Sequence, residues 1–575
     1  MKQLLIEHIS NIEVPKSTLI ESMNGNDGRL ILRNVLLQRA DTPNRNKRIY
    51  SRSILDKALN EYFEKIREKK AFSELDHPTC FWENTEILTK NGWKYIKDTI
   101  ETDLVATLNP SSGNMEWQYP SAITNQYYSG SMFNIHGKNI NTTVTGNHKF
   151  HIRIPSGNLV TYTAQELYSA SQNNKSINGY IPITSTWNGI DHDVWEIDGT
   201  SDYLGTTENR KIQYSNLVLD SKSFFAFLGF YLAEGCVRNT KNRGNYEILI
   251  SQNEGARAEQ FRVVLSNMSP GIKWTERKRK NNIIFSIVDK RLYDYLKPLG
   301  NKYTKFIPED IKSASSSLLS VLFEWFMKGD GSDVHTGYSR RKSVFTVSKK
   351  LIEDLNEILL KIGYAGVIKI QHNNDRKIGE RLIKKENTQP LYRLWVKQSK
   401  GIYVDFRYLK VEPVNYNGTI HCVTVDNGII YCRDGNSQFW SGNSDDANVI
   451  SLKNVCQAIK DAYWKGNEIR GDVEILNTPS GNIVKEILLA GYRVGQSSRG
   501  LGSVTPLREG GDDLVEVQDD FEFLTLADCV SDPSTHNADM IIGENYKSST
   551  TQPNKIDSLI RDIICELSNN CCIKL

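Results

Sequence analysis

The feature that most constrains this chain is a change of texture that occurs once in each direction. Up to Thr79 the sequence mixes strand-like runs such as RLILRNVLL (29–37) with one amphipathic stretch. There Ile54, Leu55, Ala58, Leu59, Tyr62, Phe63 and Ile66 recur at helical spacing, which predicts a helix from Ser53 to about Lys70. From Cys80 the pattern becomes short alternating runs broken by Asn-Gly, Ser-Gly-Asn and His-Gly turns, the signature of a small all-β domain. Helices and basic strands dominate between about 221 and 400. β-texture returns after Asp405 and stops at FWSGN (439–443), and residues 444–575 resume an α/β texture with a polar tail beyond about Glu544. Nesting accounts for this order better than consecutive domains do. The outer pieces, 1–79 and 444–575, hold 79 and 132 residues, 211 together, a sensible single domain. Inside them lies a β domain (80–205 and 405–443), itself interrupted by an α/β insert (206–404). The fold class expected is therefore multidomain α+β.

Bulk properties exclude some classes. Lys and Arg number 71 against 68 Asp and Glu, so any nucleic-acid surface has to be local. Nine cysteines form no pair of CxxC motifs, which argues against structural zinc and for free thiols in a reducing compartment. No apolar run reaches 18 residues, and MKQLLIEHIS lacks the apolar core of a signal peptide, so no membrane span and a cytosolic location are expected.

The ends of the inner β domain carry chemistry. Cys80 opens CFWENTEILTKNGWKYIKD, Thr145-Gly146-Asn147-His148 lies inside it, and Asn443 followed by Ser444 closes it. These three blocks, in order across 364 residues, resemble the splicing blocks of an intein. The resemblance implies that the Cys80 thiol attacks the Thr79 carbonyl and turns the amide into a thioester. It makes His148 the acid for the departing nitrogen and Thr145 a group that orients the amide. Ser444 then takes the acyl group, Asn443 cyclises through its side-chain amide, and Thr79 becomes joined to Ser444. Because all partners are intramolecular, proximity supplies most of the acceleration. Inteins usually place histidine before the terminal Asn and another near position 428; Gly442 and Gly428 stand there. Help for Asn443 has to come from elsewhere or be weak, with His421 and Cys422 the nearest polar groups in sequence.

FLGFYLAEG (227–235) resembles a LAGLIDADG helix, and LFEWFMKGDG (322–331) is a looser second copy. That resemblance implies a homing endonuclease of two tandem αββ-type half-domains acting on double-stranded DNA. Glu234 and Asp330 would be its catalytic acids and metal ligands, with Mg²⁺ as the hard cation that suits them. Basic runs at 277–280, 340–342 and 376–385 are placed to contact phosphates.

The outer pieces, joined, resemble the prohead core proteases of large contractile-tailed phages. NRNKRIY (44–50), ELDHP (74–78), YWKGNEIRGDVEIL (463–476), GQSSRGLGSV (495–504) and LADCVSDPS (526–534) carry this likeness. It implies an assemblin-like serine peptidase with Ser497 as nucleophile, His77 as general base and Asp528 orienting it. Ser498 is the alternative nucleophile and His536 the alternative third member. The amides of Arg499 and Gly500 are candidates for an oxyanion hole. Phage scaffold and capsid proteins are the implied substrates, the infected bacterial cytoplasm and then the prohead interior the implied locations. Cleavage after Glu in Leu/Ile-x-Glu makes Ile542-Gly543-Glu544 an expected self-trimming site. The competing expectation is a non-catalytic scaffold or capsid component that carries a degenerate intein.

Overall fold

The computed structural model describes residues 3–542 apart from 10–11, 15–29, 45–46, 76–79, 174–175, 204–210, 241–244, 280–281, 337–338, 372–375, 379–380, 384–388, 444–449, 451, 453, 491, 493, 508–513 and 531–538. The chain divides into two compact units. The outer one combines 1–77 with 449–575, and the inner one is 78–448.

In the outer unit both chain fragments build the same sheets. Leu30–Arg39 pairs antiparallel with Glu468–Ile475, which pairs with Val455–Lys465, which pairs with Phe72–Glu74. A second sheet centres on Val494–Gly502, flanked by Gln3–Ile9 and Glu522–Val530. The helix Arg52–Arg67 lays Leu55, Ala58, Leu59 and Tyr62 into this core at helical spacing, with Phe523 edge-on to Tyr62. It stops earlier than periodicity predicts, since Lys69 adopts φ of +58°, a left-handed conformation that ends helices. Pro479–Leu489 is a second helix, started by the Thr478 hydroxyl, which accepts from the Gly481 amide.

The inner unit joins its early and late β segments through two long strands. Ala122–Gly137 and Leu409–Thr424 pair antiparallel along their full lengths, so the last part of the unit runs beside the first. One departure from an all-β reading is the helix Ala164–Gln172, whose capping box pairs Thr163 with Glu166. The interrupting segment consists of two halves with one pattern. Helix Ser221–Glu234 leads directly into Gly235–Thr240 of a four-stranded sheet, and helix Ser316–Asp330 leads likewise into Gly331–Thr336 of another. Each half adds a further packed helix, Ala256–Met268 and Lys349–Lys361. The basic runs at 277–279 and 340–342, expected ahead of strands, lie on strands themselves, Trp274–Arg279 and Ser339–Thr346. Among the described residues, no helix is long and apolar enough to cross a membrane.

Candidate functional site

Cys80 is fully buried at the head of the inner unit. Phe81 bridges to His421 in antiparallel fashion, each amide donating to the other's carbonyl at 2.8 Å, which pins the segment next to Cys80 against the long strand. The Cys80 amide donates to Thr145 Oγ1 at 3.1 Å, and the Thr145 amide donates back to the Cys80 carbonyl, also at 3.1 Å. Thr145 thus holds the nitrogen that an acyl shift to sulfur would release. The Thr145 hydroxyl lies 2.7 Å from Asn147 Oδ1, where it donates.

His148 follows on the same turn, its amide donating to the Thr145 carbonyl at 3.0 Å. Its ring lies edge-on to Phe81 and Phe150, at centroid distances of 4.3 and 5.2 Å. Nε2 contacts Ser441 Oγ at 2.9 Å, whereas Nδ1 is buried without a hydrogen-bond partner among the described residues. An orphaned, buried imidazole nitrogen is costly and needs a reason. Burial holds the ring's pKa down at about 3, with His151 and Lys149 adding to the shift, so it is neutral at physiological pH.

Asn443 closes the unit within the same domain. Its amide donates to the Gly428 carbonyl at 3.0 Å, and its side-chain Nδ2 donates to the Val425 carbonyl at 3.2 Å. The turn 425–428, in which Gly428 takes φ of +71°, therefore holds Asn443 at both nitrogens. Thr79 and Ser444, the junction partners, lie outside the described residues. Cys422 is buried and packs in one small cluster with Cys80, Met132 and Ile420.

A second cluster sits where the two motif helices meet. Gly229 faces the Leu322 carbonyl so closely that a Cβ could not be accommodated, and Gly329 faces Ala233 in the same way. These contacts bring Glu234 and Asp330 to the same ends of the two helices. Burial and the neighbouring Glu234 charge raise Asp330 to about 6, and burial also raises Glu234. The sequence reading missed Lys305. Its ammonium donates to the carbonyls of Tyr231, Leu232 and Gly235 at 2.8, 3.0 and 2.8 Å, and burial brings its pKa down to about 8 against the pull of Asp330. The available signal was a lone lysine entering the apolar Phe306-Ile307-Pro308 segment. On the paired strands Arg277 and Lys278 engage Glu247 and Glu254, and Arg340 engages Asp333, so part of the basic charge is compensated internally.

In the outer unit Ser497 lies opposite Asp528 across two adjacent strands, and both are fully buried. Among the described residues Ser497 Oγ has no hydrogen-bond partner, while Ser498 Oγ accepts from Gln38 at 3.0 Å. Asp528 accepts from the Glu74 amide at 2.7 Å and pairs with Arg499 at 3.0 Å, and Arg499 also reaches Glu74 at 2.7 Å. Burial raises Asp528 to about 7 in spite of Arg499. Arg499 and Gly500, expected to offer oxyanion-hole amides, sit in a strand paired on both sides. His77, His536 and Glu544 lie outside the described residues. Arg499 and Glu74 were not singled out by sequence as an ion pair, because 425 positions separate them.

These features define a mixed α+β, multidomain chain. A family model described as "Prohead core protein serine protease" matches residues 398–549. That match begins inside the inner unit and runs through the larger outer fragment. Among curated proteins, the chain is similar to the ribonucleoside-diphosphate reductase subunit beta of Aquifex aeolicus, 25% identical over 66% of this chain and 52% of that protein. It is also similar to a DNA-directed RNA polymerase subunit beta C-terminal section of Stigeoclonium helveticum, 22% identical over 69% and 39%, respectively. The proteolytic subunit of ATP-dependent Clp protease of Chlamydomonas moewusii is 21% identical over 60% of this chain and 34% of its own. The chain spans about half the length of these relatives or less. Of solved structures, the homing endonuclease I-DmoI with DNA and Mn aligns at 15% identity over 31% of this chain and 90% of its own, with a TM-score of 0.23. The bacteriophage T4 capsid assembly protease aligns at 28% identity over 15% and 52%, with a TM-score of 0.14.

Proposed function

We propose that this chain is a self-splicing precursor: residues 80–443 excise themselves and the flanks, joined Thr79 to Ser444, become a prohead serine protease. The observation that carries this reading is the Cys80 amide held on the Thr145 hydroxyl at 3.1 Å beside a buried, neutral His148 with a free ring nitrogen. In the acyl shift the Cys80 sulfur bonds to the Thr79 carbonyl carbon and the amide C–N bond breaks, while the neutral His148 takes the thiol proton and returns it to the released nitrogen. Thr145 steers that amide. The Ser444 hydroxyl then displaces the thiolate. Asn443 Nδ2, held by the Val425 carbonyl, attacks its own main-chain carbonyl to free the excised segment. The joined flanks are linked by an ester that rearranges to an amide.

The curated relatives support an inserted element. Their names denote three unrelated activities, and each aligns over 368 residues or more, whereas the outer unit consists of only 77 and 127 residues. The shared sequence therefore extends into the inner unit, as expected of a segment that has entered different hosts. Tandem mass sequencing tests the reading: a peptide spanning Thr79–Ser444 should appear in the wild type and be absent from Cys80→Ala.

Within the inner unit, the paired ends of the motif helices suit cleavage of double-stranded DNA. Glu234 and Asp330 fit a hard divalent cation such as Mg²⁺, because two neighbouring, half-buried carboxylates favour a cation over their own ionisation in isolation. A bound cation would supply Lewis-acid stabilisation of phosphate. The chain's own part is to hold the two acids at the helix ends, with Lys305 beside them. For the protease we assign Ser497 as nucleophile with His77 and Asp528, scaffold and capsid proteins as substrates, the infected bacterial cytoplasm and later the prohead as location, and self-trimming after Glu544. The burial of Ser497 and the engagement of Asp528 by Arg499 favour a latent protease before splicing, since the insertion separates His77 from Ser497 in sequence.

A further inference from the structure

Cyclisation of Asn443 needs its main chain held while Nδ2 bonds to the Asn443 carbonyl carbon, the C–N bond to Ser444 breaks, and one proton passes from Nδ2 to the Ser444 nitrogen. Neither Gly442 nor Gly428 brings a side chain to this task. The structure shows why. A Cβ on Gly442 would lie 2.5 Å from the Lys149 carbonyl oxygen and 2.8 Å from the Lys149 Cβ, so backbone closes that position. Gly428 has φ of +71°, where other residues are strained.

The space is filled from another strand. His151, on Lys149–Arg153, places its Nε2 3.2 Å from where that Gly442 Cβ would stand. Its Nδ1 lies 3.1 Å from the Thr161 hydroxyl of the paired strand Leu159–Thr163, and the main chain of Gly428 lies near the ring. With Thr161 donating to Nδ1, the ring carries its proton on Nε2, the nitrogen beside Gly442. The Gly428 carbonyl receives the Asn443 amide at 3.0 Å.

We propose that His151 is the positioning residue for Asn443 cyclisation, acting from the space beside Gly442 that a side chain on that residue cannot enter. This rests on the splicing reading above. The ring packs against Gly442 and limits its main chain, while the Gly428 and Val425 carbonyls hold the amide and Nδ2 of Asn443. Thr161 sets the tautomer.

The test separates the two junctions in the full-length chain. In a Cys80→Ala background, release of the fragment 444–575 reports Asn443 cyclisation alone. In an Asn443→Ala background, thiol-induced cleavage before Cys80 reports the first acyl shift alone. His151→Ala should slow the first reaction at least tenfold and leave the second within about twofold. His151→Gln, which keeps an N–H donor of similar reach, should recover most of the loss. Unchanged release by His151→Ala would overturn the proposal, as would equal losses at both junctions or no recovery with Gln. If neither parent background cleaves at its junction, the splicing reading itself fails; if both cleave and His151→Ala is silent, only the assignment of His151 fails.

Discussion

The inner and outer units solve the burial of reactive polar groups in opposite ways. Around Cys80 the inner unit uses uncharged partners: a threonine hydroxyl, main-chain amides and a histidine that burial keeps neutral. Around Ser497 the outer unit buries ionisable groups against one another, Arg499 between Asp528 and Glu74. A neutral site can rearrange bonds without first breaking an ion pair, whereas a buried ion pair fixes its surroundings and is costly to disrupt. The difference suits the proposed rearrangement at the inner site and a strand held fixed around Ser497 at the outer one.

The contrast can be broken at its inner end first. His148→Ala should slow thiol-induced cleavage before Cys80 by about 10²-fold or more, the usual yield of a positioned proton donor. Quantifying the cleaved fraction with time checks this, and an unchanged rate would remove His148 from the site. At the outer end, Arg499→Ala leaves two carboxylates buried without compensation. A loss of about 3–5 kcal/mol is expected in denaturant unfolding of the ligated product. A loss below about 1 kcal/mol would mean the cluster is not structurally important.

The motif helices offer a third comparison within the inner unit. Glu234→Gln or Asp330→Asn should abolish Mg²⁺-dependent cleavage of a plasmid bearing the target site and leave splicing unchanged. Gly229→Ala should reduce stability of the excised segment by about 1–3 kcal/mol, because the Leu322 backbone must move. Thermal unfolding of the wild type and variant would measure it.

The smallest effect is in pH dependence, and its sign differs between the units. His148 and His151 have folded pKa values of about 3 and about 4, below their usual range. The unfolded inner segment then binds more protons, so these groups cost stability as pH falls from about 6.5 towards 4. Asp528, raised to about 7, does the reverse: the folded outer unit holds the extra proton, and this group costs stability as pH rises from about 4 through 7. Melting curves of the two splicing products at pH 5 and pH 8, each against His148→Gln or Asp528→Asn, would resolve the two slopes. Equal slopes in the variants and parents would contradict the assignments.

Local signals carried much of this in the sequence. Periodicity located the helix Arg52–Arg67, and the apolar, small-residue runs at 227–235 and 322–331 fall on helices that cross through Gly229 and Gly329. The texture changes at Cys80 and Asn443 lie within a few residues of where contacts divide the chain, after His77 and before Val449. What stayed hidden depends on distant pairing. The Arg499–Glu74 pair joins residues from opposite sides of the inner segment in sequence. Lys305 reaches carbonyls some 70 positions away, and His151 is brought to Gly442 by the packing of strands. None of these leaves a periodic trace. The helix Ala164–Gln172 did leave one, in its Thr163–Glu166 capping box, but nine residues between strands are a weak signal.

The sharpest single measurement is the intact mass of the purified wild-type protein under reducing conditions. Two species are expected, one matching residues 80–443 and the other matching 1–79 fused to 444–575, or its form trimmed after Glu544. A lone species at the full 65.5 kDa, with both junctions whole, would contradict the splicing centre and everything assigned to it.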